Sequence, residues 1–387
     1  MLPHAHTTEI GREQSPAHII GIICQFEEYF GGTGMRLERT LNNDGDSCGL
    51  SLPLSPEPLP GVQMPPHPGC VAGLSRGSHR AMGTEFTLYI DTPDEAQARA
   101  CFQSAFEEVD RVEQTFSRFR PSSEISRLNR EAGDGPMVTD PEVFALLAAA
   151  RDVSRKTGGV FDITVGRLTR VWGFPDREPH IPEARALKEA EEASGWQYLE
   201  LDPAWRTVEF LRPGMELDLG AMAKGYAVDR ALSVLRAAGV RGVMDAGASS
   251  MAATDADFGK NWKVGIANPG DSSAQLCEVF LGGRALSTSG VKEQSFEQDG
   301  RIYSHLIDPT IQGPPSIDPE RQVVQATVLA PASTLSDALS TAMFLLGHEK
   351  GSAALAEFPG CAALWVYADA SGIRCLAYDW PGGESSL

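Results

Sequence analysis

The chain has 387 residues, 42% of them hydrophobic, with 52 acidic against 33 basic side chains and a formal net charge of −19. That apolar content supports a real core, and the acidic balance argues against nucleic acid as a general partner. The longest apolar run near the N-terminus, residues 17–24, is far short of the roughly 20 residues that a membrane-spanning helix needs.

Residues 1–78 read as a disordered or linker-like extension. Pro, Gly and Ser crowd positions 50–77, and no period of 2 or 3.6 is sustained there. No basic segment followed by an apolar run and a small-residue cleavage site is present, so no secretory signal is readable. Residues 19–24 lack the small side chains expected before a lipid-bearing cysteine. The folded part is expected over 79–380. Alternation over 83–91 predicts a strand. Asp94 is positioned to cap a helix through Phe116, with Phe102, Phe106, Val109 and Val112 on one stripe. Residues 116–124 read as a loop. A helix over 141–156 stops at Gly158-Gly159. Residues 161–174 read as an irregular aromatic segment, and Pro182 opens a further helix. Next come a helix over 222–238 and a strand over 242–246. Further strands are expected over 262–266, 278–281, 285–288 and 323–329. A helix over 334–346 precedes a last strand pair, 363–367 and 373–377. Helices and strands intermix without regular βα alternation, which predicts an α+β fold with a mixed or antiparallel sheet and packed helices.

The most informative stretch is 218–229, Asp-Leu-Gly-Ala-Met-Ala-Lys-Gly-Tyr-Ala-Val-Asp. It reads as a strand-to-helix junction. Asp218 ends an apolar run, Gly220 permits a turn, and Lys224 and Gly225 open the helix. A helix opening exposes unpaired N–H groups and a positive dipole end, which suits an anion such as phosphate. A lysine in the first turn opposes that dipole, so Lys224 needs a local reason, and a bound anion supplies one. The spacing is not that of a P-loop, and no GxGxxG follows a strand. A second helix opens at Ser336-Asp337, where Asp337 and Thr341 lie one turn apart. A carboxylate and a hydroxyl in that relation are hard oxygen ligands for Mg²⁺, although Ser336 or Asp337 could equally be an ordinary N-cap. His305 stands before a forced turn at Asp308-Pro309, either as a base or as a strand-end histidine bonded to a loop. Asp162 sits among Phe161, Trp172 and Phe174, and Met82 and Phe119 are further ring-lining candidates. For all of these, core packing is the plainer reading. Seven cysteines are scattered without a CxxC pair, which leaves no legible zinc site or disulfide framework.

Several ordered blocks together resemble the ApbE family of FAD:protein FMN transferases. They are residues 82–84 (Met-Gly-Thr), 119–129, 161–166 with 172–174, 218–229, 288–290, 305–309 and 336–341. The resemblance implies transfer of FMN from FAD to a Thr or Ser hydroxyl of an acceptor flavoprotein, with release of AMP. It implies Mg²⁺ held by Asp337, Thr341 and the backbone carbonyl of Ala221. It implies FAD contacts at Met82, Phe119, Val160, Phe161, Asp162, Asp218, Lys224 and Ile307, and His305 as the base that takes the acceptor proton. Residues 247–250 read Gly-Ala-Ser-Ser where the family carries Gly-Gly-Asp, and 308–313 lack the family's arginine. Position 119 holds Phe for the expected Tyr. Two alternatives carry the same residues: an Mg²⁺-dependent FAD pyrophosphatase, and a protein that binds FAD without cleaving it.

Overall fold

The computed structural model describes residues 18–20, 36–39, 74–254, 262–271, 274–291, 295–299, 301–315, 322–369 and 372–381. Most of the expected N-terminal extension, with its proline-rich stretch, His4, His6, His67, Cys24, Cys48 and Cys70, lies outside the described residues. The strands are β1 (His18–Ile20), β2 (Arg36–Arg39), β3 (Leu74–Ala81), β4 (Thr84–Asp91), β5 (Met137–Val138), β6 (Leu199–Asp202), β7 (Thr207–Phe210), β8 (Arg241–Ala246), β9 (Ser250–Ala253), β10 (Trp262–Ala267), β11 (Gln275–Phe280), β12 (Ala285–Gly290), β13 (Ser295–Gln298), β14 (Arg301–Ser304), β15 (Gln322–Ala330), β16 (Ala362–Asp369) and β17 (Gly372–Tyr378). The helices are α1 (Glu95–Phe116), α2 (Glu124–Glu131), α3 (Pro141–Lys156), α4 (Gly166–Val171), α5 (Ala184–Glu192), α6 (Ala223–Ala237) and α7 (Ser333–Leu355).

Nine strands build one antiparallel sheet in the order β17-β16-β15-β12-β9-β8-β4-β3-β2. The side chains of these strands alternate between two faces. Phe86, Leu88 and Ile90 of β4 join the large core that α1, α3, α6 and α7 cover. On the other face Val243, Met251, Leu286 and Leu364 pack against Trp262, Val264 and Val279 of β10 and β11. The fold is therefore α+β, with helices gathered on one face of an antiparallel sheet and a small sheet on the other.

Local sequence accounts for the helix ends. Asp94 accepts from the backbone N–H groups of Ala96 and Gln97 at the start of α1, and Asp140 caps α3 with Pro141 in its first turn. Helices α1, α3 and α6 are tied by charge. Arg111 of α1 reaches Glu142 of α3 at 2.5 Å, and the Tyr226 hydroxyl of α6 donates to the same Glu142 at 2.5 Å. β3 begins at Leu74, inside the stretch read as linker. The loop expected over 116–124 runs from Ser117 to Ser123, where Ser123 caps α2 by accepting from Ser126 N–H.

Candidate functional site

The expected strand before Asp218 is absent. Glu216 makes an isolated parallel bridge to Val165, and side-chain amides replace a strand partner for its neighbour. Leu217 N–H donates to Asn129 Oδ1 at 2.7 Å, and Asn129 Nδ2 donates to Leu217 O at 3.0 Å. Asp218 N–H then donates to Ile163 O at 2.7 Å. Residues 163–166 and 216–218 consequently run side by side, and Val160, Phe161 and Asp162 lead into that contact.

These three residues face different surroundings. Phe161 is buried in the main core. Both Asp162 oxygens are engaged within the fold: Oδ1 accepts from Thr164 N–H and Oγ1–H, and Oδ2 accepts from Trp196 N–H at 2.8 Å. Burial raises the Asp162 carboxyl above the usual range, against those hydrogen bonds. Its carboxylate therefore organises the loop, whereas Val160 is only half-buried. Asp218 is more open. Its Oδ1 accepts from Gly220 N–H at 2.9 Å, and its Oδ2 lies 2.8 Å from Arg118 Nη1. Arg118 also donates to Thr169 Oγ1 at 3.0 Å, and its guanidinium lies 5.1 Å from the centroid of the Phe119 ring. Phe119 is 70% exposed. A large exposed aromatic beside a paired acid and base offers a stacking face with polar groups at its edge.

From Asp218 the turn 219–222 leads into α6, and here two helix starts meet. Gly225 N–H donates to Asp337 Oδ2 at 3.0 Å. Gly225 is the third residue of α6, one of the opening N–H groups that find no acceptor within a helix, and Ala221 precedes the Met222 N-cap, so its carbonyl lies outside the helical ladder. A Cβ on Gly225 would lie 2.2 Å from Ser333 O, so glycine is what lets α6 and α7 approach this closely. Lys224 is half-buried beside this junction and makes no ion pair among the described residues.

Helix α7 begins at Ser333 rather than at Ser336-Asp337, so neither of those residues is the N-cap. The cap residue is Ala332, which has no side-chain acceptor. Asp229 of α6 takes that part, accepting from Ser333 N–H and Thr334 N–H at 2.8 Å each and from Thr334 Oγ1–H at 2.6 Å. Asp337 is 5% exposed, one turn into the helix, and its Oδ1 accepts from Ser250 Oγ–H at 2.7 Å. Thr341 follows on the same face, with its Oγ1 3.3 Å from Ser289 Oγ. A carboxylate has about four acceptor sites, about two on each oxygen. A carboxylate, a hydroxyl and a backbone carbonyl are hard-oxygen groups of the kind that Mg²⁺ takes together with phosphate and water. Among the described residues no group of three or more His, Cys, Asp and Glu gathers to hold a metal.

Met82 occupies the tight β3–β4 turn at φ 51°. That turn lies against the 247–250 loop, since Gly247 N–H donates to Glu85 O at 3.0 Å. Gly247 and Ala248 both have positive φ, 62° and 59°, and Ala248 N–H is held by Asp245 Oδ1 at 2.8 Å. The loop thus keeps a left-handed pair despite Ala at its second position. His305 follows β14 on a segment joined to the rest through α4. Ile307 is buried with Leu168, Trp172 and Phe174, Trp172 Nε1–H donates to Gln312 O at 3.2 Å, and Thr169 of α4 donates to Asp218 Oδ2 at 3.3 Å. Ile307 is thus part of a satellite core. Sequence reasoning passed over Arg118, Asp229 and Ser250; all three lie inside or beside the quoted segments, but their roles depend on partners distant in the chain.

The ApbE family profile matches residues 82–365. A FAD:protein FMN transferase of Treponema pallidum is 33% identical over 289 residues, covering 71% of this chain and 79% of that protein. The crystal structure of the ApbE protein of Thermotoga maritima superposes with a TM-score of 0.69 at 28% identity, covering 78% of this chain and 96% of that one. The apo flavinyl transferase ApbE of Pseudomonas stutzeri gives 0.69 at 28% identity, covering 79% and 95%. A match spanning most of the chain, with the helix junction inside it, leads to one conclusion: the chain belongs to the ApbE family.

Proposed function

We propose that this chain is an FAD:protein FMN transferase that moves FMN from FAD to a Thr or Ser hydroxyl of an acceptor protein and releases AMP, with Mg²⁺ as its cofactor. The observation that carries this reading is the contact between Gly225 N–H and Asp337 at 3.0 Å. It joins the helix start bearing Lys224 to the helix bearing Asp337 and Thr341.

In this reading Asp337, Thr341 and the Ala221 carbonyl would hold Mg²⁺, which when bound would neutralise charge on the diphosphate. Lys224 places its ammonium against the same diphosphate, where charge grows on the leaving AMP. Phe119 stacks on the flavin, and Asp218, held by Arg118, takes a polar edge of the flavin or ribityl chain. Met82, Val160, Phe161 and Ile307 bound the ligand by shape, and Asp162 holds the loop that carries two of them. His305 accepts the proton of the acceptor hydroxyl as its oxygen bonds to the FMN phosphorus. The bond from that phosphorus to the bridging oxygen breaks, and AMP leaves with the electron pair. Holding both partners in line is the larger part of such catalysis.

The test is to incubate the purified chain with FAD, Mg²⁺ and a flavoprotein acceptor subunit and to follow AMP and acceptor mass. The expected result is AMP release that needs acceptor and is abolished by chelation, with FMN bound to acceptor. Equal release of free FMN and AMP without acceptor would instead identify a pyrophosphatase, and intact FAD would identify a binding protein.

A further inference from the structure

Ser250 opens β9 in the middle of the nine-stranded sheet, pairing with Ala246 on one side and Ser287 on the other. It is 1% exposed, and a buried hydroxyl needs a partner. That partner is Asp337: Ser250 Oγ–H donates to Oδ1 at 2.7 Å, while Gly225 N–H donates to Oδ2 at 3.0 Å. One donor comes from a sheet strand and the other from a helix start, so the two bonds fix the carboxylate about both its torsion and its plane. Further hydroxyl pairs bind the same helix to the sheet, Ser287 with Ser336 at 2.7 Å and Ser289 with Ser340 at 2.9 Å. None of those touches a carboxylate.

We propose that Ser250 is a positioning residue that sets the Asp337 carboxylate for its cation. The proposal rests on the reading of Asp337 as a metal ligand. Groups that hydrogen-bond a ligating side chain change metal affinity by about 10–100-fold when removed, and Ser250 stands in that relation to Asp337.

The experiment titrates Mn²⁺ into the full chain with FAD present and no acceptor, counting free Mn²⁺ by electron paramagnetic resonance. Wild type is compared with Ser250→Ala and Ser250→Thr, and kcat and KM for FAD are measured alongside. The expected result is Mn²⁺ binding about 10-fold weaker in Ser250→Ala, with melting of the metal-free protein much less changed, kcat lowered more than KM is raised, and recovery in Ser250→Thr. Unchanged Mn²⁺ affinity in Ser250→Ala overturns the inference and leaves the metal reading standing. No Mn²⁺ binding by wild type overturns both. Should Ser250→Ala fail to fold, Ser250→Cys keeps the volume with a weaker donor, and Mn²⁺ affinity equal to wild type there overturns the inference.

Discussion

Asp337 is a buried acid whose oxygens serve the fold as well as the proposed site. Replacing it by alanine would strand Gly225 N–H and Ser250 Oγ–H without their acceptor, at about 1–3 kcal/mol for each group left unpaired. Asp337→Asn retains shape and an acceptor, so it is the cleaner probe. It is expected to fold while lowering kcat by about 100-fold or more, checked by circular dichroism beside a transfer assay. Asp245 offers a different test. Burial, with repulsion from Glu85, raises its carboxyl to about 6, against the Ala248 N–H bond. The native state therefore holds this proton more tightly than the unfolded chain, and the associated stability is present at pH 4 and lost as pH rises through about 6. Asp245→Asn can still accept from Ala248 N–H and is free of that loss. Urea unfolding should find the variant close to wild type at pH 4 and more stable than wild type at pH 7; a pH-independent difference would contradict this.

Among the elements, the α6–α7 junction is the tightest constraint. A Cβ at Gly225 would meet Ser333 O at 2.2 Å and Asp337 Cβ at 2.9 Å. Gly225→Ala is therefore expected to cost about 1–3 kcal/mol of stability, read by chemical denaturation, and to lower transfer further by displacing α7. Asp229→Ala removes the acceptor that caps α7 from outside it, at about 1–2 kcal/mol. Elements whose signals are local were legible in the sequence. The helix over 141–156 matches α3 at both ends because Asp140 and Pro141 are its own start signal. The expected helix end at 346 falls where Gly347 leaves helical geometry, at φ 69°, before the helix resumes to Leu355. β3 was hidden because, Leu74 aside, its buried residues are Ser75, Gly77, His79 and Ala81 rather than large apolar side chains. The apolar run before Asp218 suggested a strand, but its backbone is satisfied by Asn129, 88 residues earlier. A periodicity argument cannot reach such a partner.

For the whole molecule, individual contacts link several of the blocks quoted from the sequence: Asp218 to Ile163 and Arg118, Gly225 to Asp337, and Ser289 to Thr341. Asp218, Lys224 and Asp337 are legible by residue type, while Arg118 and Ser250 become visible only when the fold brings their partners near. A chain of net charge −19 binds divalent cations weakly over much of its surface, so a specific site must show coupling between metal and nucleotide. Mg²⁺ and FAD added together should raise the melting temperature by more than the sum of either alone, and simple additivity would count against a shared site. The most direct test is anomalous scattering from crystals grown with Mn²⁺ and FAD. The account predicts an anomalous peak bonded to Asp337, Thr341 and the Ala221 carbonyl, in contact with the FAD diphosphate and near Lys224. A diphosphate bound elsewhere, with no metal between the starts of α6 and α7, would contradict it.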